Sequence, residues 1–205
     1  MTNKLWWWEK TVEYSFVRKI LADNAVACPL AGQSEKWTGD LIEQINDRFR
    51  LIEFKRNVNS IKDEDKKYGD GQTDYLTICK DISDCKNAAH WLVFGETIGE
   101  GKCATMKLKY RQYHSSPILQ AQYNDLNQSS QLGDMVFSNF LKYIDELMKL
   151  RGNTEGGAGG LVMAWVGNDQ TTVMDLTEFI QLIPSLNNKF GPAEEPHSKP
   201  SAPKL

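Results

Sequence analysis

Residues 48–55 read Arg48-Phe49-Arg50-Leu51-Ile52-Glu53-Phe54-Lys55, a run rich in Phe, Leu and Ile that predicts an extended strand. On a strand, Glu53 and Lys55 point one way and Ile52 and Phe54 the other, so the apolar face can pack under a helix. Residues 40–45, beginning at Asp40, predict the strand before it, with Asn46-Asp47 as the hairpin turn. Asp40 then stands beside the end of the strand that holds Glu53 and Lys55.

Two carboxylates held side by side bind hard divalent cations such as Mg²⁺, or Mn²⁺, through oxygen. Such a cation stabilises charge on a phosphate and lowers the pKa of a bound water. A lysine beside it can orient that water or offset charge in the transition state. Acid-x-Lys is common in this chain, recurring at Glu64-x-Lys66, Asp65-x-Lys67, Asp84-x-Lys86 and Glu100-x-Lys102. Only Glu53-x-Lys55 lies in a strongly apolar extended run preceded by a strand that starts with an acid. Context selects it.

Outward from this pair, residues 3–22 predict a helix, with Leu5, Trp8, Val12, Phe16 and Ile20 close to one face. Residues 23–39 contain Cys-Pro-Leu-Ala-Gly and Thr-Gly, which predicts a loop or at most one short strand. Residues 57–71 are polar and charged and read as a mobile connection. An amphipathic helix is expected from Gln72 to about Ala89, then a short apolar strand over 90–94. Glycines at 99 and 101 predict a turn before a strand over 104–114. Asp134 is expected to cap a helix with Phe137, Phe140, Leu141, Ile144, Leu147 and Met148 on one side, ending at Gly152. The glycines of 156–160 predict a turn, 161–166 an apolar strand, and Asp175 with Glu178 the start of a last helix. Residues 191–205 hold four of the seven prolines and predict a disordered tail after a single domain over 1–190. Helix-linked strands and hairpins together give an α/β fold with a mixed sheet flanked by helices.

The chain has 205 residues and a formal net charge of -3, which argues against a general nucleic-acid coat but leaves room for a local basic groove. Its first residues lack the features of a signal peptide, and no apolar run approaches a bilayer span. Cys28, Cys79, Cys85 and Cys103 form no CxxC pair and read as free, mostly buried thiols. A cytoplasmic location and no membrane contact are the expectation.

The arrangement resembles the PD-(D/E)xK superfamily, the restriction-endonuclease-like nucleases. Members have a helix, an antiparallel three-strand meander carrying the acid and the Glu-x-Lys, then a helix and a parallel strand. The resemblance covers residues 3–94. Gly39 stands where the name-giving proline would be. It implies a metal-dependent nuclease, with DNA the expected substrate, in which Asp40 and Glu53 bind Mg²⁺ and Lys55 positions the attacking water. It also implies an acid on the first helix that supports the metal: Glu13, with Glu9 as the alternative.

Several surface features extend that reading. Lys107, Lys109 and Arg111 alternate along one strand and give a basic face for phosphates, and Arg56, Lys62, Lys66 and Lys67 follow the site closely. Trp6-Trp7-Trp8 cannot all face one core, because successive helix positions are about 100° apart. An exposed tryptophan there favours a partner surface, either a homodimer or a larger complex. A different class of function also fits the same residues: an inactive nuclease-fold scaffold whose acidic pair is structural and whose Trp-rich surface binds a protein.

Overall fold

The run at 48–55 forms β3 (Arg48–Lys55), and the sheet is built around it. The structure is a computed structural model and describes residues 7–21, 25–30, 38–46, 48–68, 89–99, 104–114, 123–151, 162–167 and 170–175. Before β3 come α1 (Glu9–Lys19), β1 (Ala25–Pro29) and β2 (Leu41–Ile45). After it come a 3-10 segment (Val58–Lys67), β4 (His90–Ile98), β5 (Thr105–Gln112), β6 (Asn124–Asp125), β7 (Met135–Val136), α2 (Phe137–Leu150), β8 (Val162–Gly167) and β9 (Gln170–Asp175).

The strand order is β1-β2-β3-β4-β5-β6, with β7 also beside β3. β1, β2 and β3 form an antiparallel meander, β4 lies parallel to β3, and β5 returns antiparallel to β4. The sheet is therefore mixed and the fold α/β. β4 pairs with Leu51–Lys55 and β7 with Arg48 and Phe49, on the edge of β3 that β2 does not occupy. β8 and β9 make a separate two-stranded hairpin. Asn46 turns the β2–β3 hairpin at φ 54°, the left-handed region that Asn tolerates well.

Alternation along β3 divides the core into two. Ile52 and Phe54 pack under α1 with Val12, Phe16, Leu41 and Val93. Phe16 and Phe54 meet edge to face with ring centroids 5.4 Å apart. Phe49 and Leu51 face α2, packing with Phe140, Ile144 and Leu147. Glu53 and Lys55 continue that second face, so the charged pair projects on the α2 side of the sheet.

The one short strand allowed for residues 23–39 is β1, which completes the meander. Two local expectations change. Residues 58–67 are an ordered 3-10 segment rather than a bare connection, because Ile61, Glu64 and Tyr68 are buried against the sheet. Asp134 does not cap α2: its carboxylate accepts from Arg48 Nε at 2.7 Å, and the helix begins after Val136. Asp175 is the last residue of β9, and the last helix expected after it lies outside the described residues. The helix expected over 72–89 (apart from Ala89), the turn at 156–160 and the tail at 191–205 lie outside the described residues. So do three cysteines, while Cys28 is a free, buried thiol that burial pushes up to about 12. No helix among the described residues is long and apolar enough to cross a membrane.

Candidate active site

Asp40 directly precedes β2, and the pairing of Leu41 with Ile52 sets it opposite Glu53 on β3. Its backbone N–H donates to Ile52 O at 3.1 Å, and the N–H of Phe54 donates to its Oδ2 at 2.5 Å. The side chain is therefore fixed by the strand pair itself. Asp40, Glu53 and Lys55 are all buried.

Around Glu53 and Lys55 the fold assembles an ion-pair ring. Lys55 Nζ lies 2.8 Å from Glu53 Oε1 and 2.7 Å from Glu64 Oε1. Lys67 Nζ contacts the same Glu53 oxygen and lies 3.3 Å from Glu64 Oε1. Glu64 and Lys67 are three apart on the 3-10 segment, where side chains three apart eclipse, so both face the sheet together. Behind the ring, Glu64 Oε2 accepts from the Tyr113 hydroxyl at 2.7 Å and faces Arg151 Nη2 at 3.6 Å. Arg151, just past α2, donates to the Tyr113 hydroxyl at 2.6 Å and to the carbonyl of Thr38 at 2.7 Å. Its guanidinium lies over the rings of Tyr68 and Tyr113.

Burial sets the electrostatics. It pushes Asp40 well above the usual carboxylate range, and the charge of Glu53 pushes the same way, against Lys67 and Lys55. Burial would raise Glu53 as well, but the ammonium groups of Lys67 and Lys55 prevail and hold it down at about 2. For Lys55, burial would lower the pKa, yet Glu53 and Glu64 raise it above the ordinary lysine value. Lys55 is thus an ammonium at any working pH.

The donors beside Asp40 suit a hard cation. Both side chains offer oxygen only, and Glu53 Oε2 is buried without a hydrogen-bond partner among the described residues. Among the described residues no three His, Cys, Asp or Glu side chains are grouped to hold one metal. Two carboxylates with water in the remaining positions is a usual way to hold Mg²⁺, which sheds water reluctantly. The residues fit such an ion.

The structure distributes the other expected site residues unevenly. Glu13 is turned to Lys10, 2.6 Å away. Glu9, one turn earlier on α1, is the helix acid whose ionisation responds to the site: burial raises its pKa, with Lys55 and Lys67 opposing and Glu53 and Glu64 adding. Strand register puts Lys109 and Arg111 on the site's face of the sheet, in line through Phe94 and Leu92 with Lys55 and Glu53. They stand two strands away, about 10 Å. The basic face is nevertheless interrupted. Arg111 is buried, Lys109 pairs with Glu96 and Asp125, and Lys107 pairs with Asp125. Lys62 is exposed on the 3-10 segment, and Arg56 is half-buried with its carbonyl accepting from the Trp7 indole at 2.8 Å. Of the tryptophans, Trp7 packs against the α1 core and Trp8 is 79% exposed; Trp6 lies outside the described residues.

Glu64, Tyr68, Tyr113 and Arg151 join the site without a motif to announce them. The signal for the first is the spacing Ile61, Glu64, Lys67, three residues apart as in a 3-10 turn. Arg151 gives none, because it is brought in by the length and direction of α2. Comparison of the chain with models of protein families, with curated proteins and with solved structures finds no match.

Proposed function

We propose that this chain is a metal-dependent nuclease that hydrolyses phosphodiester bonds, with DNA as its substrate. The observation that carries the reading is the placement of Asp40 opposite Glu53 at adjoining strand ends, with Lys55 Nζ 2.8 Å from Glu53 Oε1. Two buried carboxylates that repel each other favour a shared cation. The order α1, meander, then a strand parallel to β3 supports a restriction-endonuclease-like core.

In this reading Asp40 and Glu53 hold Mg²⁺ or Mn²⁺, which would supply Lewis-acid stabilisation of the phosphate and a more acidic bound water. Lys55 works as a permanent cation. Wedged between Glu53 and Glu64, it donates to the attacking water or to a phosphate oxygen and does not serve as general base. Glu9 takes the supporting place on α1 that was expected of Glu13. Cleavage of plasmid and linear DNA with Mn²⁺ tests the proposal. Glu53→Ala and Lys55→Ala should each lower the rate by about a hundredfold or more. Metal-dependent cutting that survives both substitutions would sink it.

One observation favours a second reading, a scaffold subunit: Trp8 and Tyr14 are exposed on and beside α1, at 79% and 66%. On that reading Trp8→Ala abolishes association in sedimentation experiments, and no Mn²⁺ binding depends on Glu53.

A further inference from the structure

One oxygen of Glu53 is shared by two ammonium groups, which Glu64 shares as well. Lys55 and Lys67 both reach Glu53 Oε1. The two lysines differ in how they are held. Lys55 projects from the central strand, is only 7% exposed along its side chain, and sits within 2.8 Å of carboxylates on both sides. Lys67 ends the 3-10 segment, is 20% exposed, and approaches Glu64 more loosely, at 3.3 Å. The second oxygen of Glu53 is buried and without a hydrogen-bond partner among the described residues.

We propose that Lys67 is an exchangeable counter-ion, which pairs with Glu53 in the metal-free protein and turns to a substrate phosphate once a divalent cation is bound. The inference rests on the nuclease reading and adds a residue to it. Electrostatics supply the reason. A divalent cation at Asp40 and Glu53 meets two ammonium groups already beside the same carboxylate, and both cannot stay without strong repulsion. Lys55 is retained by Glu64 and by its strand. Lys67 has the more solvent-facing side chain and the longer contact to Glu64, the carboxylate that would have to retain it, so it is the group that leaves. Its displaced charge then lies at the open side of the cluster, where a phosphate arrives from solvent. One lysine thus neutralises a buried acid before metal binding and binds substrate after it.

The test titrates the intact protein with Mn²⁺ alone by calorimetry. It also measures binding of a short DNA duplex at rising salt, with Ca²⁺ in place of Mn²⁺. Lys67→Met should bind Mn²⁺ about tenfold more tightly than the wild type, since the competing cation is gone. The same variant should bind DNA more weakly, with the slope of log affinity against log salt shallower by about 0.9, one phosphate contact. Should Lys67→Met not fold, Lys67→Gln keeps a hydrogen bond to Glu53 without the charge and carries both expectations. Mn²⁺ affinity unchanged or weakened in the neutral variants overturns the exchange. A salt slope equal to that of the wild type overturns the transfer to phosphate and the proposal with it. A wild type that neither binds Mn²⁺ nor cuts DNA fails on its own, which marks failure of the nuclease reading rather than of the exchange alone.

Discussion

Arg151 donates through Nη1 to the carbonyl of Thr38, 2.7 Å away, and so ties the end of α2 to the turn that presents Asp40 two residues later. The same guanidinium donates to the hydroxyls of Tyr113 and Tyr68 and faces Glu64. Arg151→Met should therefore cost ~3 kcal/mol of unfolding free energy in urea titrations. Arg151→Lys should recover little of it, because a single ammonium cannot span the Thr38 carbonyl and two tyrosine hydroxyls. Near-wild-type stability of the methionine variant would show that the anchor is dispensable.

Asp40 should be a net cost to the metal-free protein. An acid whose folded pKa is raised binds its proton more tightly when folded, so the stability it contributes is present at low pH. That contribution is lost as pH rises from about 4 towards the raised folded value. Asp40→Asn can still accept from Phe54 N and removes the repulsion from Glu53. Near neutral pH, without metal, it should melt ~3 °C above the wild type while losing Mn²⁺-dependent cleavage. A lower melting temperature would argue against a strained carboxylate.

His90 and His114 should make the fold sensitive to mild acid. The Tyr143 hydroxyl lies 2.5 Å from His90 Nδ1 and 2.6 Å from His114 Nε2. It has one proton, so it donates to one ring and accepts from the other. Burial drives His90 well below its ordinary value and His114 down to about 3. A histidine with a depressed folded pKa gives its full stability above the unfolded value, about 6.5, and loses it as pH falls towards the folded one. The unfolding free energy from urea titrations should drop between about pH 6.5 and 4, by up to ~1.4 kcal/mol per pH unit for each ring. His114→Gln should flatten the profile by about half, and an unchanged profile would place the acid sensitivity elsewhere.

Arg50 and Glu43 are both fully covered and joined at 2.6 Å. Arg50 also donates to the carbonyls of Ser129 and Leu132, pinning that loop to the hairpin. Arg50→Met alone should cost ~3–5 kcal/mol by stranding a buried carboxylate. The double variant Arg50→Met, Glu43→Leu should recover much of that loss. Additive losses would show that the pair itself contributes little.

The centre of this fold can be read from residues 40–55, where periodicity, a turn and two opposed faces coincide in one short stretch. Ile52 and Phe54 lie under α1 as alternation requires, and Glu53 and Lys55 lie on the reverse face. Reading fails where contacts are distant. The ring needs Glu64 and Lys67 from a polar segment whose three-residue period is easily taken for solvated charge. It also needs Arg151, which is 113 positions from its partner Thr38. The choice between Glu9 and Glu13 turns on the rotation of α1, which its apolar spacing defines only loosely.

β5 and β6 have a bearing on solubility. A sheet edge offers unpaired backbone groups to any other extended chain. Here the last strand, β6, is only two residues long, and its Asp125 binds Lys107 and Lys109 of β5. Charges and brevity together leave a poor template for fibril growth. Lys107 and Lys109, whatever they do for phosphates, thereby also screen the end of the sheet against aggregation.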